Sequence, residues 1–328
     1  MITFFIYYKL NMTKILVTWS TWQIWSELVL ELRKIYGGQN VVALGNRTKP
    51  SDELLNSWPF EIADIKDKQK LKEIITKYEI DTIYHLVSLL SATGEQNPNL
   101  ARDVNIWWLK DMLDLAVEHK IKRFFRPSSI AAFGPNTPRI DTPQYTPMDP
   151  TTMYWVTKVA GELLCQYYYQ KYWLDTRSLR YPWIISWKTP PGWGTTDYAV
   201  AIYYEAVQKG EYEFFVNEQT TLPMMYMPDA IKATIDIMQA DPEKIKIHTS
   251  YNLTAFSFSA KELEENVRKY IPELKCTYKP DFRQNIANSR PASIDDSAAQ
   301  NDRWRKADYD LDAMSQDMIE NLRKNISA

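Results

Sequence analysis

Tyr154 and Lys158 stand four residues apart in Tyr154-Trp155-Val156-Thr157-Lys158, a spacing that places both on one face of a helix. An ammonium group beside a phenol stabilises the phenolate and draws its pKa down from about 10, so the tyrosine exchanges a proton with an alcohol near neutral pH. Ser129 lies 25 residues upstream, at the close of Phe124-Phe125-Arg126-Pro127-Ser128-Ser129. Its hydroxyl suits a hydrogen bond to the same substrate oxygen. A tyrosine and a lysine at this spacing occur by chance on many helices; a serine ending the preceding strand, with Phe133-Gly134 after it, makes the set specific. Ser128 either assists or caps the loop.

The elements that must hold these groups alternate along the chain. Lys14–Thr18, Asn40–Leu44, Thr82–Leu86, Arg123–Pro127 and Thr176–Tyr181 read as short apolar strands. Between them Ile24–Tyr36, Lys66–Tyr78, Leu100–His119 and Tyr154–Tyr172 read as helices. A strand and a helix recurring in this rhythm predict a parallel sheet covered by helices on both faces. The fold class is therefore α/β, a Rossmann-type doubly wound parallel sheet with a smaller C-terminal substrate-binding lobe. Residues 12–184 are assigned mainly to this Rossmann-type domain. Residues 185–328 are assigned mainly to the lobe, with some segments returning to the sheet. Residues 1–11 read as a spurious or disordered extension, with Met12 as the initiator.

The 328 residues carry a net charge of -2, with no electrostatic reason to expect nucleic acid or an anionic membrane as partner. No stretch is long and apolar enough to span a bilayer, which predicts a cytoplasmic protein. Two distant cysteines, Cys165 and Cys276, and three scattered histidines offer neither a disulfide framework nor a metal site. Of the histidines, His85 ends a predicted strand and reads as packed rather than catalytic. Glycine is 9 of 328, under half its usual share of about 7%. Tryptophan, at 12, is abundant.

These two anomalies meet in the first loop, Thr18-Trp19-Ser20-Thr21-Trp22-Gln23-Ile24-Trp25. Together with the Ser129, Tyr154 and Lys158 set it resembles the extended short-chain dehydrogenase/reductase superfamily, also called the NAD-dependent epimerases/dehydratases. Segments LLSATGE (89–95), SSIAAFGPNTP (128–138), ISWKTPPGWGTTDYAV (185–200), LPMMYMPDAI (222–231) and CTYKPDFRQNIA (276–287) resemble the L-threonine 3-dehydrogenase group within it. The resemblance covers nearly all of residues 13–324.

The resemblance implies hydride transfer from C3 of threonine to NAD, giving 2-amino-3-oxobutanoate, with Ser129, Tyr154 and Lys158 catalytic. Ser91 and Thr195 join Ser129 and Tyr154 as substrate contacts, or are ordinary loop hydroxyls. The implied cofactor set is Thr18, Trp19, Trp22, Gln23, Ile24, Trp25, Asn46, Arg47, Asp64, Ile65, Leu86, Tyr154, Lys158 and Tyr181. The acidic residue that favours NAD at the end of the second strand is replaced by Leu44-Gly45-Asn46-Arg47. Asn46 suits a ribose hydroxyl and Arg47 tolerates a 2′-phosphate, so NAD rests on the family. Asp64 either contacts adenine or caps its loop. The superfamily's habit of pairing through the active-site helix implies a homodimer. The competing readings are a nucleotide-sugar epimerase or dehydratase, and a non-catalytic nucleotide-binding protein.

Relatives carry glycine where this chain has Trp19, Trp22, Trp25, Trp58, Trp108, Trp155, Trp173, Trp183, Trp193 and Trp304; Trp107 is undecided and Trp187 matches a family tryptophan. They carry tryptophan at Arg102, Arg126, Arg290, Arg303 and Arg305. In the turn those glycines admit the pyrophosphate and the close approach of helix to strand, tasks an indole obstructs. The selectivity points to translation with the wrong genetic code: in some uncultured bacterial lineages UGA encodes glycine and certain CGN codons are read as tryptophan. A decayed or engineered variant is the alternative.

Overall fold

In the computed structural model the described residues are 13–20, 23–46, 50, 52–57, 59–89, 91–192, 194–302 and 306–326. The N-terminal extension, Trp22, Arg47, Trp58, Trp193, Arg303, Trp304 and Arg305 lie outside them, as do the side chains of Gln23, Ile24 and Trp25.

The order begins β1 (Ile15–Thr18), α1 (Gln23–Tyr36), β2 (Val41–Gly45), α2 (Asp52–Asn56), β3 (Phe60–Ile62), α3 (Lys68–Lys77) and β4 (Thr82–His85). Helices α4 (Ser91–Gln96), α5 (Pro98–Arg102) and α6 (Trp108–Glu118) lead to β5 (Arg123–Ser129), α7 (Met153–Tyr172) and β6 (Asp175–Tyr181). Then come β7 (Trp183–Ile185), α8 (Tyr198–Lys209), β8 (Glu211–Phe214), β9 (Thr221–Tyr226), α9 (Met227–Gln239) and β10 (Tyr251–Asn252). The last are β11 (Phe256–Ser259), α10 (Ala260–Arg268), β12 (Lys275–Tyr278), α11 (Arg283–Asn288), α12 (Ser297–Asn301) and α13 (Leu311–Ile326).

Seven strands form one sheet in the order β10-β6-β5-β4-β1-β2-β3. β1 pairs in parallel with both β2 and β4, so the winding reverses between β1 and β4, as in a doubly wound Rossmann-type sheet. Ile15–Thr18 is buried at every residue, because a parallel strand covered on both faces has no solvent side. Leu16, Val42, Leu44, Ile83 and Phe124 of the sheet pack with Leu71, Ile74, Leu109, Met112 and Leu113 of the helices.

Two compact units divide the chain. The first takes residues up to Ala132, Pro150–Arg180 and Thr234–Tyr251; the second takes Phe133–Asp149, Tyr181–Ala233 and Asn252 onward. The second unit holds a three-stranded sheet, β11-β9-β7, and a two-stranded one, β12-β8. Its own core gathers Tyr198, Tyr203, Phe214, Met224, Tyr226, Leu263 and Met318.

The segment 100–119, expected as one helix, is broken. It starts earlier, at Pro98, whose missing N–H and fixed φ suit the first turn. A π turn over Asp103–Trp107 then interrupts it. Within that turn the buried Asn105 serves the neighbouring loop: it accepts from Leu89 N at 2.7 Å and donates to Leu89 O at 3.1 Å. The short strand Phe60–Ile62, which carries no sequence signal, forms the sheet edge, with Ile62 67% exposed.

Candidate active site

The Ser129 hydroxyl accepts a hydrogen bond from Ala131 N at 3.1 Å, in the 3-10 turn Ile130–Ala132 that follows β5. An oxygen held by that acceptance keeps its own proton available for donation to a substrate oxygen. Helix α7 carries the other two groups. Its start is fixed twice: Thr152 caps it by accepting from Trp155 N at 3.4 Å, and Met153 N donates to Glu95 Oε1 at 2.5 Å. Asn105 donates to Thr157 Oγ1 at 2.9 Å, which ties α7 to the loop after β4. Lys158 Nζ donates to Pro127 O at 3.2 Å, two residues before Ser129, and lies 5.1 Å from the centroid of the Tyr154 ring.

The electrostatics depart from the sequence expectation. The Tyr154 phenol is not drawn down; burial pushes it up to about 12, against the opposing pull of the Arg126 guanidinium and the neighbouring Ser88 hydroxyl. Lys158 falls well below its ordinary value through burial and the Arg126 charge, with Glu162 opposing. Burial is the largest cause of both shifts. Burial, Arg126 and Lys158 also lower His85 to about 3, so it stays neutral. Its Nδ1 stands 3.4 Å from Thr18 Oγ1.

Arg126 itself is 5% exposed. It donates only to the Lys158 and Thr157 carbonyls, and has no ion-pair partner among the described residues. A methyl group on Gly161 would collide with its guanidinium, so the absence of a side chain there makes the room.

The remaining assigned residues distribute unevenly. Thr18 is buried and its hydroxyl is spent within the sheet, accepting from Leu86 N at 3.1 Å. Ile65 and Leu86 are buried, while Asn46 is exposed after β2. Asp64 Oδ1 accepts from Lys66 N at 3.0 Å, the loop cap that was the alternative to adenine contact. Ser91 is exposed at the first residue of α4 in the first unit. Tyr181 and Thr195 belong to the second unit. Sequence reasoning missed Asn105, Ser88 and Glu162. The one signal for Glu162 was a third polar residue continuing the four-residue spacing of Tyr154 and Lys158.

For a dinucleotide, the turn after β1 matters most. Trp19 sits there at φ 57°, the left-handed region. The backbone therefore has the conformation that a tight glycine turn adopts. It fits the approach of a pyrophosphate; the indole at that position does not.

The model of a family described as the NAD dependent epimerase/dehydratase family matches residues 15–253. The chain belongs to that family. Membership agrees with the Rossmann-type winding and with NAD as the cofactor read from the sequence. Among solved structures this family member is similar to an L-threonine dehydrogenase from Clostridium difficile: 48% identity, TM-score 0.91, 96% of this chain and 98% of that one covered. It is also similar to a monomeric L-threonine 3-dehydrogenase from a metagenome, at 43% identity and TM-score 0.86, covering 95% and 99%. An uncharacterised epimerase/dehydratase from Staphylococcus aureus is 45% identical over 314 residues, 95% of this chain and 98% of that protein.

Proposed function

We propose that the protein oxidises L-threonine at C3 to 2-amino-3-oxobutanoate. NAD, when bound, supplies the acceptor for the hydride. Ser129 donates its free proton to the C3 oxygen and orients it. Tyr154 accepts the hydroxyl proton through its phenolic oxygen, and Lys158 supports that transfer from the same helix face. Ser91 and Thr195 are assigned to the amino-acid group of the substrate. The observation that carries this reading is the Ser129 hydroxyl, already accepting from Ala131 N and so left to donate, with Lys158 anchored two residues away on the same strand end. The similarity to two L-threonine dehydrogenases supports threonine as the substrate. The test is NADH formation at 340 nm. Threonine-dependent absorbance supports the proposal; no absorbance with threonine, but conversion of a UDP-sugar, replaces it with epimerase chemistry.

The polypeptide that works in the cell, in this reading, carries glycine at Trp19 and Trp173 and tryptophan at Arg126. Trp19 and Trp173 both occupy left-handed backbone, at φ 57° and 58°. Trp173 does so as the C-cap of α7, where glycine is the common solution. Glu79, Lys120 and Asp141 share that region, but an indole is the bulkiest group found in it. Arg126 adds a buried guanidinium that makes no ion-pair contact among the described residues, the charge of Glu162 acting on it only without contact. Codons settle the matter: UGG at Trp19, Trp22 and Trp25 would leave the recoding idea without support.

Two copies pair through the exposed apolar face of α7, where Val156, Leu163 and Tyr167 recur at helical spacing. Light scattering on the eluting protein reads the mass, and a monomer ends this assignment. The free thiols of Cys165 and Cys276 fit the cytoplasm. Among the described residues no helix is long and apolar enough to cross a membrane.

A further inference from the structure

We propose that Glu162 is a positioning residue of this site: its buried carboxylate accepts from Ser128 at the end of β5 and from Arg180 on β6, and so fixes the strand that carries Ser129 against the helix that carries Tyr154 and Lys158. The proposal deepens the reading above and takes from it only the location of the site.

Ser128 Oγ donates to Glu162 Oε1 at 2.5 Å. Arg180 Nε donates to Oε1 at 3.0 Å, and Arg180 Nη2 to Oε2 at 2.7 Å. Glu162 is fully buried, and Ser128 and Arg180 are each 3% exposed. Both carboxylate oxygens are therefore engaged away from water, where breaking such a set is expensive and its geometry stiff. Adjacent residues of a strand point to opposite sides. Ser128 thus serves as an anchor while its neighbour Ser129 keeps its hydroxyl for substrate.

Glu162 also sits four residues beyond Lys158 on α7, on the same side of the helix. The groups acting on Lys158 are Arg126 on β5 and Glu162 on α7, with Tyr154 on α7 and neutral His85 on β4 close by. Arg180 on β6 is paired with Glu162. Against the three cations Arg126, Lys158 and Arg180 stands one carboxylate. Its charge favours the ammonium form of Lys158 where burial and Arg126 oppose it.

The experiment uses the full chain, labelled with [ε-13C]lysine. The Lys158 resonance is assigned by its loss in Lys158→Met. Glu162→Gln keeps the shape and removes the charge, and the Lys158 titration moves to lower pH by about one unit. With threonine and NAD, kcat falls about tenfold or more while KM for NAD stays within about twofold; a displaced catalytic group has costs of this size. Glu162→Asp, which restores the charge, recovers part of the loss, and Ser128→Ala lowers kcat by a smaller factor. Superimposed lysine titrations, with activity tracking only the folded fraction by circular dichroism, would overturn the proposal. If Glu162→Gln does not fold, Ser128→Ala decides: a lowered kcat at unchanged KM for NAD supports positioning, an unchanged kcat refutes it. A parent that oxidises no threonine removes the substrate reading, and the lysine titration still judges Glu162.

Discussion

Two junctions at the C-terminal edge of the same parallel strands, the turn from β1 into α1 and the junction of β5 with α7, are built by different means. At the β5 junction side chains do the holding: Ser128, Glu162 and Arg180 close a buried network, Lys158 reaches Pro127 O, and Asn105 ties the neighbouring loop to Thr157. At the β1 turn one residue and a backbone conformation do most of it: Ser20 donates to Leu44 O through both its N and its Oγ, each at 3.1 Å, and Trp19 adopts a left-handed φ. A junction made of side chains announces itself through residue types at a spacing. A junction made of backbone announces itself only through glycine, and here glycine is missing. The β5 junction is thus stated in the chain's own residues, while the β1 turn is stated in its conformation and contradicted by its tryptophans.

The contrast breaks most sharply at Tyr154. Tyr154→Phe removes the proton acceptor and lowers kcat about a thousandfold, read as NADH formation. In the parent, kcat/KM climbs with pH through the neutral range, because the phenol of the free protein is pushed up to about 12 and only its ionised form accepts the proton. The Phe variant has no such climb, and a residual pH dependence of the same slope would assign the proton to another group.

Arg126→Trp comes next. Exchanging an unpaired buried guanidinium for an apolar ring raises stability by about 2 kcal/mol in denaturant unfolding. It also lifts the Lys158 titration, since Arg126 holds that group down. Loss of stability would mean that Arg126 belongs where it stands.

At the β1 turn, Trp19→Gly combined with Trp22→Gly and Trp25→Gly tightens NAD binding by about tenfold or more, measured by calorimetry. Unchanged affinity would separate the cofactor from this turn. The smallest effect belongs to Trp173→Gly at the end of α7, a gain of about 1 kcal/mol from relief of left-handed strain. Thermal unfolding that leaves the midpoint in place would show that the indole costs nothing there.

The strands β1, β2, β4, β5 and β6 were legible because each is a short β-rich run that must be largely dry on both faces, whereas the two residues of β10 are too few to carry a pattern. Phe60–Ile62 was not, since an edge strand of three residues with Ile62 in solvent carries no pattern. The helix expected over 100–119 hid its π turn because apolar spacing is nearly the same on either side of one extra residue. Ser129, Tyr154 and Lys158 were legible as types at a spacing. Glu162 was not, because a glutamate on a helix ordinarily faces water, and nothing local says that Arg180, eighteen positions on, will meet it at 2.7 Å.

By itself the sequence determined the alternation of strand and helix, the trio of chemical groups and the conflict between tryptophan and glycine, all of which are matters of residue type and short-range order. Only the tertiary structure decided which charges are stripped of water together. Burial reversed the expected direction of the Tyr154 pKa, and the fold set Arg126 beside Lys158 with the charge of Glu162 acting on both. Desolvation depends on what packs around a group from distant parts of the chain, and no spacing along the chain encodes it.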